Sequence, residues 1–181
     1  MNLESLKIKK SIEELAFVIS PPGHIKSDVS VLKDDVHFLI GRPFRDMYEK
    51  AHVALFKFNE TAYFDDITMH VADVAKQFAA FNVFLKDLSV LYTGTNRTIA
   101  MNVLNKYPVR EIFEKLVRKD DRYVPYISIA SQLTPSDLLK AWPYMRDFTY
   151  SQHFTCDHIS VFARVAQQWT LYKEIPFGAN E

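Results

Sequence analysis

The feature that most limits the folds open to this chain is a weak internal repeat. Phe81-x-x-Phe84-Leu85-Lys86-Asp87-Leu88-Ser89-Val90-Leu91, ahead of Thr98-Ile99-Ala100, parallels Phe154-Thr155-Cys156-Asp157-His158-Ile159-Ser160-Val161-Phe162, ahead of Thr170-Leu171-Tyr172. Ser89-Val90 and Ser160-Val161 anchor the match. Strands upstream align too: His52 precedes Ser89 by 37 residues, and Tyr126 precedes Ser160 by 34. Two half-units, each strand–helix–strand–helix–strand, predict a pseudo-symmetric α+β protein.

Periodicity supplies the elements. Leu15 to Ser20 is a compact apolar run stopped by Pro21-Pro22-Gly23, as a buried strand entering a turn should be. Ile25, Val29, Leu32, Val36 and Leu39 fall on one helix face, with Gly41 placed to cap it. Ala51 to Phe58 reads as a strand. Asp65 or Asp66 starts a helix with Ile67, Val71, Val74 and Phe78 on its inner face. Val83–Tyr92 and Arg97–Leu104 flank a hairpin turn at Thr93-Gly94-Thr95-Asn96. Pro108 suits the first turn of a helix carrying Ile112 and Leu116. Arg118 to Arg122 reads as a solvated loop, and Tyr126–Ala130 as a strand. Thr134-Pro135-Ser136-Asp137 opens a fourth helix, and Phe154–Ala163 and Trp169–Phe177 close the chain as two strands.

Composition excludes several classes. Basic and acidic residues balance at 22 each, so nothing favours holding DNA by bulk charge. A 48% hydrophobic content with 14% aromatics excludes a disordered chain. Cys156 is the sole cysteine, which rules out an internal disulfide. The amino terminus is broken by Glu4, Lys7, Lys9 and Lys10 and has no signal-peptide core; no stretch approaches the roughly 20 apolar residues that span a bilayer. These features predict a soluble cytoplasmic protein without membrane association.

Three segments carry a resemblance: Phe17-Val18-Ile19-Ser20-Pro21-Pro22-Gly23-His24-Ile25, Ala51-His52-Val53-Ala54-Leu55, and Val124-Pro125-Tyr126-Ile127-Ser128-Ile129-Ala130. With the ending Trp169 to Ile175, they make the chain resemble the 2H phosphoesterase superfamily, within it the bacterial 2′-5′ RNA ligase-like proteins. The resemblance runs from Phe17 to Phe177 and implies one bilobal domain over residues 1–181. It implies two lobes of mostly antiparallel sheet, helices outside, around a central cleft. It further implies action on 2′,3′-cyclic or 2′-5′ phosphodiesters of nucleotides or RNA ends, without metal or other cofactor.

That family places one histidine-x-threonine/serine motif in each lobe. The spacing has a physical reason: residues two apart on a strand share a face, so imidazole and hydroxyl reach one phosphate together. One imidazole takes a proton while the other gives one. In this chain each pair has lost a member. His52 is followed by Ala54 where a hydroxyl belongs, and Ser128 is preceded by Tyr126 where a histidine belongs. The arginine position after the second motif falls at Ser131. The implied catalytic residues are therefore His52 and Ser128, with Tyr126 binding substrate and catalysis weakened or lost. An alternative is a non-catalytic nucleotide-binding or structural module, its cleft filled by side chains such as Phe56 on the face of His52. A second placement of the motif, His158-Ile159-Ser160-Val161, keeps both histidine and serine.

Taken alone, His52 reads as a hydrogen-bonded core histidine, and Tyr126 as a half-buried strand aromatic. His153, Cys156, Asp157 and His158 invite a metal reading. On one strand, however, the two histidines would face opposite sides, so no metal site is expected. His24 falls in a turn and His70 on an exposed helix face. With only four glycines, no phosphate-cradling loop is present.

Overall fold

The computed structural model describes residues 12–117 and 119–178. The charged amino-terminal segment 1–11 and Arg118 lie outside them. In chain order the elements are β1 (Glu14–Ile19), α1 (Gly23–Ile40), β2 (Val53–Phe58), α2 (Phe64–Ala75), β3 (Phe81–Thr93) and β4 (Asn96–Val103). There follow α3 (Lys106–Leu116), β5 (Tyr126–Leu133), α4 (Pro135–Met145), β6 (Ser151–Cys156), β7 (His158–Val165) and β8 (Gln168–Pro176). The strands form one antiparallel sheet in the order β6-β3-β4-β5-β2-β1-β7-β8.

This order reveals a two-fold relation about the β5–β2 seam. β5 corresponds to β2, β4 to β1, and β3 to β7, so β1-α1-β2-α2-β3 repeats as β4-α3-β5-α4-β7. Each unit's last strand pairs with the other unit's first, β3 on β4 and β7 on β1. The match of Ser89 to Ser160 agrees with this relation. The match of Thr98–Ala100 to Thr170–Tyr172 does not. β4 lies inside the sheet and β8 at its edge, because the place β4 holds beside β3 is held beside β7 by β1.

Phe154–Ala163 is not one strand. The chain breaks at Asp157 into β6 and β7, the first and seventh strands of the sheet. A flat sheet would hold them about 29 Å apart at roughly 4.8 Å per strand. A single linking residue spans no more than about 7 Å between Cα atoms. The sheet must therefore curl until the two strands meet, which gives it a hollow side.

The other side carries the core. Leu15, Phe17, Val53, Ile99, Met101, Ile127, Ile129 and Val161 are fully buried there. α1 meets it with Ile25, Val29, Leu32, Val36 and Ile40, and ends at Gly41, whose φ of 75° is the left-handed cap that glycine adopts without strain. α2 begins at Phe64, so Asp65 and Asp66 sit in its first turn rather than capping it. It stops at Ala75, short of Phe78. α4 starts on a full capping box, Thr134 accepting from the Asp137 N–H while Asp137 reaches back to Thr134. Thr134→Ala should lower stability by about 1 kcal/mol, read as an equal loss in chemical denaturation; no loss would mean the cap is redundant. Among the described residues, no helix is long and apolar enough to cross a membrane.

Candidate functional site

At the seam, Val53 pairs with Ile127. Carried one residue either way, this antiparallel register sets His52 across from Ser128 and Ala54 across from Tyr126. All four share the face opposite the buried Val53, Leu55, Ile127 and Ile129, so the expected positions converge on the hollow side of the sheet. The seam is narrow: Val53–Ile127 is the one ladder pair between β2 and β5 among the described residues. Tyr123 steadies it, stacking on Phe113 at 3.8 Å and donating its hydroxyl to the Ala54 carbonyl at 2.8 Å.

Phe56 does not share the face of His52. Phe17 pairs with Phe56 but Val18 with Ala54, so Leu55 is an extra residue that reverses the alternation beyond it. Phe56 turns to the core and stacks on Phe17 at 4.5 Å, while Lys57 takes the open face. The alternative in which Phe56 fills the cleft is thereby overturned.

The loop between α1 and β2 completes the site, and nothing in its sequence marks it. Arg42 pairs with Asp137 at the start of α4. Asp46 is buried beneath β5, where it accepts the Ser128 hydroxyl and, at 2.8 Å, the Ser131 N–H. Buried Lys33 donates to the Asp46 carbonyl. Burial pushes the Asp46 carboxyl up, but the Ser128 hydroxyl, the Lys33 charge and the Ser131 N–H outweigh it. The group is held below the usual carboxylate range. Lys33 is pushed down chiefly by its own burial. The position where the resemblance puts an arginine thus serves a buried carboxylate.

Three chemical consequences follow. The His52 Nδ1 lies 2.8 Å from the Lys50 carbonyl, which can only accept, so Nδ1 carries a proton. In the neutral ring Nε2 is left with its lone pair. Tyr126 is pushed above its ordinary value, first by burial and then by the Asp46 charge, so it stays a protonated donor. Ser128 spends its proton on Asp46 and faces any ligand as an acceptor.

His52 borders a cavity of ≈ 470 Å³ whose walls include Arg45, Tyr48, Lys50, Lys57, Phe162 and Trp169. Lys57 stands over the Trp169 ring at 5.0 Å. Tyr126 and Ser128 do not line this cavity; they stand beside it across the seam. His158 lies on β7, beyond β1, with Nδ1 2.6 Å from Asp157, and borders a different crevice. Ser160 is enclosed, and its hydroxyl has no partner among the described residues. His70 is exposed on α2. Among the described residues, no three metal-ligating side chains are grouped to hold an ion.

The fold recurs in solved structures. E. coli LigT complexed with 3′-AMP superposes with a TM-score of 0.63 at 14% identity, over 92% of this chain and 98% of that one. TT0787 of Thermus thermophilus gives 0.64 at 13% identity, over 92% and 100%. Kluyveromyces marxianus Usb1 gives 0.53 at 12% identity, over 93% and 100%. Among curated protein sequences no match is found. Residues 39–168, which span the seam, both motif positions and the Asp46 loop, match the 2′-5′ RNA ligase superfamily. With the fold and that match covering most of its length, the chain belongs to the 2′-5′ RNA ligase superfamily.

Proposed function

We propose that the chain binds a nucleotide or RNA-end phosphodiester, 2′,3′-cyclic or 2′-5′ linked, over His52, and that it turns this ligand over slowly if at all. The observation that carries the reading is the free Nε2 of His52 at the mouth of a cavity with aromatic and cationic walls. Trp169 and Phe162 offer surfaces for a base, and Arg45, Lys50 and Lys57 offer charge to a phosphate. Solved structures of similar fold that hold 3′-AMP, phosphate and ATP support the choice of ligand.

In hydrolysis, His52 would accept a proton from water as the water oxygen bonds to phosphorus and the bond to the leaving ribose oxygen breaks. Tyr126, kept protonated, would hydrogen-bond a phosphoryl oxygen. The leaving oxygen then lacks a good proton donor, because no second imidazole stands across the seam. Ser128 contributes through Asp46, anchoring β5, and its catalytic share is small while its proton stays there. The reading invokes no metal or cofactor, and one bilobal domain acting in the cytoplasm accommodates it.

Turnover of a 2′,3′-cyclic nucleotide should fall below the range of about 1–1,000 per second usual for enzymes. Binding should be saturable by calorimetry, and His52→Ala should abolish whatever turnover is measured. Ordinary turnover that survives His52→Ala would overturn the assignment. Saturable binding with no turnover would select the binding-module alternative, which the engagement of Ser128 with Asp46 favours.

A further inference from the structure

The curl that joins β6 to β7 makes a second crevice, of ≈ 430 Å³, outside the His52 site. His153 and His158 both line it, because they stand on two strands rather than one. With them come His24 and Lys26 from the first turn of α1, Thr155 and Glu174. We propose that this crevice binds a phosphate monoester, a dianion with three acceptor oxygens.

The donors are unspent. Lys26 has no carboxylate within salt-bridge distance among the described residues. Its ammonium is pushed down first by burial and next by Lys50, while Glu174 counters only in part. A partly desolvated cation beside a second cation gains when an anion enters. His24 and His153 make no hydrogen bond among the described residues, and both rings are accessible. α1 begins here without a side-chain cap or an acidic residue in its first turn, so the N–H groups of Gly23, His24 and Ile25 add free donors beside the histidines. His158 serves otherwise: its Nδ1 is 2.6 Å from Asp157 and its Nε2 3.5 Å from Glu174, which holds it as part of the wall.

The groups around His24 and His153 are Lys26 on α1, His158 and Asp157 at the β6–β7 break, and Glu174 on β8. Glu174 and Asp157 are already engaged with His158, which leaves Lys26 and the His24 and His153 rings to meet an anion.

The test uses the full chain with its histidine rings followed by NMR, titrated at about pH 8, where phosphate is the dianion, with inorganic phosphate against chloride of equal ionic strength. Ring signals of His24 and His153 should move saturably with phosphate and stay in place with chloride. Lys26→Gln and, on an exposed edge strand, His153→Gln should each weaken binding by about tenfold while leaving the fold intact by circular dichroism. Repeating the titration with cytidine 3′-monophosphate identifies the source. Equal affinity means the free ion is recognised, and tighter binding means a nucleotide end; both support the site. Shifts confined to the His52 ring, or unchanged in Lys26→Gln, would overturn it. Phosphate held here while a cyclic nucleotide fails to bind at His52 would discard the phosphodiester reading and keep this one.

Discussion

Asp46→Ala should destabilise the protein by about 3 kcal/mol, a fall of roughly 6–12 °C in Tm for a chain of this size. The carboxylate is the shared acceptor of the Ser128 hydroxyl and the Ser131 N–H, and its charge, with that of Glu49, offsets part of the burial of Lys33. Removing it leaves the Ser128 hydroxyl and the Ser131 N–H without their acceptor and takes from buried Lys33 one of the two carboxylates that favour its charge, though its hydrogen bond to the backbone carbonyl of residue 46 remains. Asp46→Asn keeps an acceptor but loses the charge, and should cost about half as much. The pH dependence follows from the direction of the shift. A carboxyl held below its unfolded value adds stability above that value, near 3.9, and loses it as pH falls through the lower folded value. Wild type and Asp46→Asn should therefore differ steadily from pH 5 to 7 and converge below about pH 4. Denaturant melts across that range supply the measurement. A difference that persists undiminished at pH 2 would show that shape, not charge, makes the loop necessary.

Ala54→Thr combined with Tyr126→His should raise hydrolysis of a 2′,3′-cyclic nucleotide by about 100-fold or more over wild type, the usual worth of a positioned acid or base. The register explains why the two changes belong together. Ala54 and Tyr126 face each other across the seam as His52 and Ser128 do, so the pair of substitutions makes the second arm a copy of the first motif's chemistry. A second imidazole protonates the leaving oxygen, and the new hydroxyl donates where Ser128 does not. Either change alone should give far less, because acid, base and donor work as a unit. The rate should follow a bell in pH, as expected when one imidazole must be neutral and the other charged. A folded double variant that binds the nucleotide without faster turnover would sink the view that the missing imidazole limits this site. Turnover gained equally by Tyr126→His alone would instead show the hydroxyl to be dispensable.

Much of this protein is legible in one dimension. Strand and helix periodicity in β1, α1, β3, β4, α3 and α4 is local, set by which residues must face a core, and the capping box at Thr134 is read from four neighbouring residues. The spacing of His52 and Ala54, and of Tyr126 and Ser128, places each pair on one strand face by the geometry of an extended chain alone. The repeat likewise pointed to two related units. What stayed hidden depends on contacts between distant segments. The extra residue at Leu55, which sends Phe56 inward and Lys57 outward, shows only in the register of β2 against β1. The β7–β8 turn, with Ala166 and Gln167 at positive φ, carries no glycine to announce it. Asp46 sits in a loop without pattern and gains its role from Ser128, 82 positions away. The break at Asp157 looks like the middle of one strand until the sheet curls, and only then do His24, His153 and His158 share a crevice. The sequence by itself determined the elements and the facing of each motif, because those follow from local sterics and burial. The tertiary structure decided which donors remain free, because that depends on partners the chain brings together only when folded.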